Sequence, residues 1–184
     1  MGKIILFLLG TSITTAAVPT TRVQGINLLT HETLTISSEG AQGLVVVFLS
    51  ARCPCSKSHN DELQDLAKLH PRFRFVAVHS NVDESPELSR AYFEKQSFSF
   101  PVLQDEDAKL ADRLRALKTP HAFLFGPQGD VLYQGGVSSS KDCTKADRKY
   151  LREALADLEA GRAVGTPEGR TLGCAISRGP QKLE

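Results

Sequence analysis

The hydrophobic pattern changes period along the chain, and the changes predict the elements. Leu44-Val45-Val46-Val47-Phe48-Leu49 is an unbroken apolar run rich in β-branched residues, as in a strand buried on both faces. Leu63, Leu66, Ala67 and His70 then recur at helical spacing up to Pro71. Phe73–Val78 predicts a second strand, Pro86–Gln96 a helix with proline at its start, and Phe100–Leu103 a short extended piece. A short helix is expected over 108–117. Ala122–Phe125 and Val131–Gln134 flank Gly126-Pro127-Gln128-Gly129-Asp130, a pattern that predicts a β-hairpin. A strongly patterned helix is expected over 146–158, with Leu151, Ala154, Leu155 and Leu158 on one face. Upstream, 26–36 has β character with a turn at His31-Glu32, and 161–184 has little periodicity. Alternating βα units followed by a hairpin imply an α/β fold: a central mixed β-sheet flanked by helices on both faces.

The chain ends add a different picture. One lysine, the apolar run Ile4–Leu9 and the small residues Thr15-Ala16-Ala17 fit a signal peptide over residues 1–17. The apolar run is too short to span a bilayer. The expectation is a periplasmic or secreted protein that does not span the membrane after cleavage, with a domain over 25–160 and a C-terminal tail over 161–184. Lys and Arg total 22 against 21 Asp and Glu, so the net charge of +1 carries no nucleic-acid signature.

Four cysteines, Cys53, Cys55, Cys143 and Cys174, supply the candidate chemistry. Cys53 falls where the buried strand meets the helix that Pro54 begins. Unsatisfied N–H groups and the positive end of the helix dipole favour a thiolate there, and thiolate is the nucleophilic form. Arg52 is positioned to add positive charge. Cys55 lies within the first turn, and a Cys53–Cys55 bridge would close a small, strained ring. His59 is one turn further on. The second feature is Thr119-Pro120, where a proline entering an interior strand is accommodated by either a cis peptide or an ordinary trans bond at the strand start. Cys143 sits at a loop-to-helix boundary and is expected to be incidental. Asp105-Glu106-Asp107 is expected to be a solvated loop and helix start.

These segments together resemble a known group. Phe48–Ser56 around the cysteines, Phe100–Asp105, Thr119-Pro120 and Gly126–Gly135 look like the redoxin branch of the thioredoxin superfamily, the alkyl hydroperoxide reductase and thiol-specific antioxidant group. The resemblance covers about residues 25–160. It implies a thioredoxin-like fold, a nucleophilic Cys53 and a cis-Pro120 packed against it beside Thr119. Two positions depart from the usual patterns. The second cysteine of a C-x-x-C falls on Ser56, with the extra thiol at Cys55. Ser50 occupies the hydroxyl position of peroxiredoxins, but their upstream proline is Val46 here. Leu172-Gly173-Cys174-Ala175-Ile176 resembles a Gly-Cys element near the C-terminus of some redoxin-like proteins, which implies that Cys174 folds back as a resolving thiol.

Three functions follow from this reading. One is a thiol–disulfide oxidoreductase in which Cys53 attacks a protein disulfide and Cys55 or Cys174 resolves the intermediate. Another is a thiol peroxidase in which Ser50 hydrogen-bonds the peroxide. The third is Cu or Zn binding through Cys53, Cys55, His59 and His121. No cofactor is expected for the redox functions, and the reducing partner is not legible.

Overall fold

The computed structural model describes residues 21–179. The predicted signal peptide lies outside them. A seven-stranded mixed sheet runs through the molecule in the order β2-β1-β5-β4-β3-β7-β8. Its strands are β1 (Arg22–Asn27), β2 (Thr33–Ser37), β3 (Gly43–Leu49), β4 (Phe73–His79), β5 (Val102–Gln104), β7 (His121–Phe125) and β8 (Val131–Gly135). A second, two-stranded sheet pairs β6 (Lys118–Thr119) with β9 (Cys174–Ala175). Among the described residues, no helix is long and apolar enough to cross a membrane.

The apolar run lies at the centre. β3 is parallel to β4 on one side and antiparallel to β7 on the other. All seven of its residues are buried, as the continuous hydrophobic pattern requires. Alternate residues serve opposite faces. Val45, Val47 and Leu49 pack under Leu63 and Leu66 of α1 (Pro54–Leu69), Phe93 of α2 (Pro86–Gln96) and Leu151 and Leu155 of α4 (Tyr150–Glu159). Leu44, Val46 and Phe48 pack against Leu110 and Ala111 of α3 (Lys109–Arg113) and against Ile176 from the C-terminal segment. Truncating any of the fully buried leucines to alanine would cost about 2–5 kcal/mol.

α1 starts on Pro54, whose fixed φ suits the first helical position. It ends at Leu69 because His70 precedes Pro71, and a residue before proline is pushed out of the helical region. Cys53 is therefore the N-cap residue, in extended conformation (φ −77°, ψ 114°) directly after the central strand.

Several boundaries differ from the sequence reading. The first strand begins at Arg22, and the turn after it contains His31 at φ 61°. The helix expected over 108–117 shrinks to α3 after a single 3-10 turn, Glu106–Ala108. The reason is Asp105, whose carboxylate is buried rather than solvated. It accepts from the Leu110 and Ala111 N–H groups at 2.8 and 3.0 Å and from the Ser80 hydroxyl at 2.8 Å. α4 starts at Tyr150, not Ala146, because Ser139 and Asp142 draw the preceding backbone into other hydrogen bonds. The C-terminal segment is tied to the domain: Gly169 N–H donates to Gln134, β9 pairs with β6, and Ile176 is buried.

Candidate active site

The site is built at three chain crossings. The end of β3 and the start of α1 bring Cys53 and Cys55. The end of β6 and the residue that follows it bring Thr119 and Pro120, joined by a cis peptide bond. The C-terminal segment brings Cys174, which stands opposite Thr119 in the β6–β9 pair. The sulfurs of Cys53, Cys55 and Cys174 all lie within 4.8 Å of one another, and none is in a disulfide. Cys53 and Cys55 are buried, and Cys174 is half-buried.

Gly173 is what lets the C-terminal segment approach. Its φ is 154°, and a Cβ there would lie 1.9 Å from the Thr119 carbonyl oxygen. Only glycine fits so close a backbone approach. Ile176 N–H donates to the Leu117 carbonyl at 3.0 Å, and Arg178 ties the segment to Asp112 and the Ala116 carbonyl.

The Cys53 thiol donates to the Thr119 carbonyl at 3.2 Å. Burial pushes its pKa up. Hydrogen bonds from the Cys174 thiol and the Thr119 hydroxyl, and the Ser56 and Cys174 backbone N–H groups, outweigh burial and bring it down from 9.0 to about 7. The buried Thr119 hydroxyl has no hydrogen-bond partner among the described residues while Cys53 is a thiol, which leaves it free to donate to the thiolate. Cys174 moves the opposite way. Burial first, and then its bond and proximity to the Cys53 sulfur, push it up to about 12. Cys55 is also raised, by burial and by the neighbouring Cys53 sulfur. One thiolate is thus favoured among three thiols, and it is Cys53. The Arg52 guanidinium is turned to the Asp83 carbonyl, 3.4 Å away.

Beneath the Cys53 turn lies a buried polar network that the sequence reading missed. The Ser50 hydroxyl accepts from the Cys53 and Arg52 N–H groups at 3.0 and 3.2 Å and donates to the Glu84 carboxylate at 2.5 Å. Glu84 also accepts from Ala51 N–H at 2.7 Å, Asn81 at 2.9 Å and His79 Nε2 at 3.0 Å. His79 is fully buried, with Gln104 at its other ring nitrogen and Phe93 edge-on to its ring. Burial raises the Glu84 pKa, but the donors from His79, Ser50 and Ala51 win and hold it down to about 2. Glu84 sits in the polar segment 81–85, where a carboxylate reads as solvated, so nothing in the sequence pattern marks it.

The two histidines named as metal ligands stand elsewhere. His59 is buried, with Nδ1 donating to the Cys55 carbonyl at 2.7 Å and Nε2 2.7 Å from the Ser138 hydroxyl. Burial lowers its pKa, so the ring is a neutral brace behind α1. His121 stacks on Phe123 with ring centroids 4.5 Å apart, on the sheet face opposite α1. Neither joins the sulfur cluster. Cys143 is buried against the side of α1, where its N–H donates to the Ser58 hydroxyl at 3.3 Å, and it is also outside the cluster.

A strand-to-helix cysteine turn facing a cis-proline loop across a mixed sheet defines a protein of thioredoxin-like fold. The sequence profile of the AhpC/TSA family matches residues 16–134, and the chain belongs to that family. The match stops well short of Cys174. A search of curated proteins found no match. Among solved structures, the chain is similar to an uncharacterized conserved protein from Geobacillus kaustophilus, with 25% identity, a TM-score of 0.78 and coverage of 90% of this chain and 95% of that one. A hypothetical protein from Sinorhizobium meliloti 1021 gives 23% identity, a TM-score of 0.77 and coverage of 91% and 98%. A thiol-disulfide oxidoreductase from Bacteroides fragilis shares the fold at 20% identity, with a TM-score of 0.53 over 62% of this chain and 87% of that one.

Proposed function

We propose that this chain is an exported thiol–disulfide oxidoreductase in which Cys53 is the attacking thiol and Cys174 the resolving one. The observation that carries the reading is the delivery of Cys174 against the Cys53 sulfur by a strand from the far end of the chain. The Cys53 thiolate attacks one sulfur of a substrate disulfide, and the departing sulfur takes up a proton as the first substrate thiol. The Cys174 thiol then loses its proton and attacks Cys53. A Cys53–Cys174 disulfide forms and the second substrate thiol leaves. The substrate disulfide gains two electrons and the two protein thiols lose them. An external dithiol returns the protein to its reduced state. Cys55 is the less suited resolving group, because bridging residues two apart at a helix start strains the ring. The N-terminal pattern supports export to the periplasm or outside the cell, and cell fractionation tests that part.

Turnover with a model protein disulfide and a dithiol donor tests the chemistry. Cys53→Ser is expected to abolish it, and Cys174→Ser to trap Cys53 in a mixed disulfide with substrate. Full activity of Cys53→Ser would refute the assignment. Peroxide reduction is the second reading, favoured by membership of the AhpC/TSA family. The Ser50 hydroxyl argues against the role first expected of it: it is buried and held by Glu84 and two backbone N–H groups, so it is not free to bind a peroxide. Peroxide consumption at no more than the free-thiol background is the expected result.

A further inference from the structure

The sulfur cluster has a property that disulfide exchange does not need: it has three members, not two. We propose that Cys53, Cys55 and Cys174 together form a three-thiolate site for a soft monovalent metal ion of the Cu(I) class.

The donor set points to that class. Sulfur-only ligands select soft ions such as Cu(I), whereas carboxylate and carbonyl oxygens suit hard cations. Among the described residues, no His, Asp, Glu or further Cys side chain joins the three sulfurs. Structural Zn(II) sites take four protein ligands in a tetrahedron, and the fourth is missing here. Three sulfurs around one ion at the usual metal–sulfur length of about 2.3 Å would stand roughly 4 Å apart. The observed sulfurs, all within 4.8 Å of one another, need only a small inward movement. A disulfide demands a much larger one, to about 2 Å.

The framework around the three sulfurs is held in place from each side. Cys53 and Cys55 are fixed by the strand-to-helix turn that Ser50 and Glu84 pin. The His59 ring holds the Cys55 carbonyl. Cys174 is fixed by its backbone pairing with Thr119. Binding releases the thiol protons, and one Cu(I) on three thiolates carries two net negative charges. The N-terminus of α1 and the Lys141 ammonium near Cys55 offset part of that charge.

Metal binding and disulfide exchange would use the same sulfurs, so they exclude one another. A disulfide between any two removes two ligands at once. The ligand set also differs from the one the sequence suggested, since Cys174 takes the place of His59 and His121.

The test is an anaerobic titration of the fully reduced chain with Cu(I) against a chromophoric Cu(I) chelator, with Zn(II) titrated in parallel. One Cu(I) per chain is expected, and Cys53→Ser, Cys55→Ser and Cys174→Ser are each expected to weaken binding by at least roughly tenfold, the lower end of the loss on removing even a supporting residue of a metal site. Cys143→Ser is expected to bind like the parent, and protein oxidised to its disulfide is expected to bind none. X-ray absorption of the loaded parent counts ligands without any variant, and three sulfurs with no nitrogen are expected. Two sulfurs, binding unaffected by Cys174→Ser, retention by the oxidised protein, or stoichiometric Zn(II) without Cu(I) would each overturn the proposal. Disulfide turnover by the metal-free parent, measured on the same preparation, separates this outcome from failure of the redox reading.

Discussion

Replacing Glu84 by glutamine removes the charge on which the Cys53 turn rests while nearly preserving side-chain shape. The carboxylate is buried, its side chain only 2% exposed, and it accepts from four donors. Its pKa falls from 4.5 to about 2 in the folded protein. At 1.36 kcal/mol per unit, that difference corresponds to about 3 kcal/mol of stability. A depressed carboxylate pKa stabilises the fold above the unfolded value of 4.5, and the contribution is lost as pH falls from there towards 2. Glutamine carries no charge and turns an amide N–H₂ towards donors that need an acceptor, leaving at least one of them unsatisfied. Glu84→Gln is therefore expected to lower stability at pH 7 by about 3 kcal/mol, or roughly 6–12 °C in Tm for a domain of this size. The loss should shrink as pH falls from 4.5 towards 2, because the parent surrenders the same contribution there. Thermal denaturation of both proteins across pH 2–7 measures this. A variant within about 0.5 kcal/mol of the parent at pH 7, or a gap that stays constant down to pH 2, would refute the reasoning.

Two further outcomes follow from the same geometry. Alkylation of Cys53 in the reduced protein is expected to rise with a midpoint near pH 7, and the midpoint should move upward in Cys174→Ala, which removes the side-chain donor to the thiolate; competitive labelling with mass spectrometric readout measures both. Gly173→Ala is expected to unpair β9 from β6, since its Cβ would fall on the Thr119 carbonyl, and to slow Cys53–Cys174 disulfide formation several-fold while Cys143 labelling stays unchanged.

What the sequence made legible was what local pattern dictates. Leu44–Leu49 could only be a strand buried on both faces, and Pro54 after it fixed the start of α1 and with it the place of Cys53. The order of βα units and the Gly126–Asp130 turn led to the mixed sheet. Tertiary satisfaction was not legible. Glu84 and Asp105 sit in polar loops, and each is buried because backbone N–H groups from elsewhere need an acceptor. Asp105 thereby shortened the helix expected over 108–117 to five residues. His59 has the spacing of a ligand, yet both its nitrogens are taken by Cys55 and Ser138, a partner 79 residues away. Cys174 was named through a resemblance alone, because no periodicity in 161–184 reveals that two residues there pair with Lys118 and Thr119.

The most direct test of the thiol chemistry is the disulfide map of the protein after oxidation by one equivalent of a small disulfide. Digestion without reduction, followed by mass spectrometry, identifies which cysteines are joined. A Cys53–Cys174 bridge, with Cys55 and Cys143 still free, is the predicted result. A map in which Cys53 stays unpaired, or is joined only to Cys55 or Cys143, would contradict it.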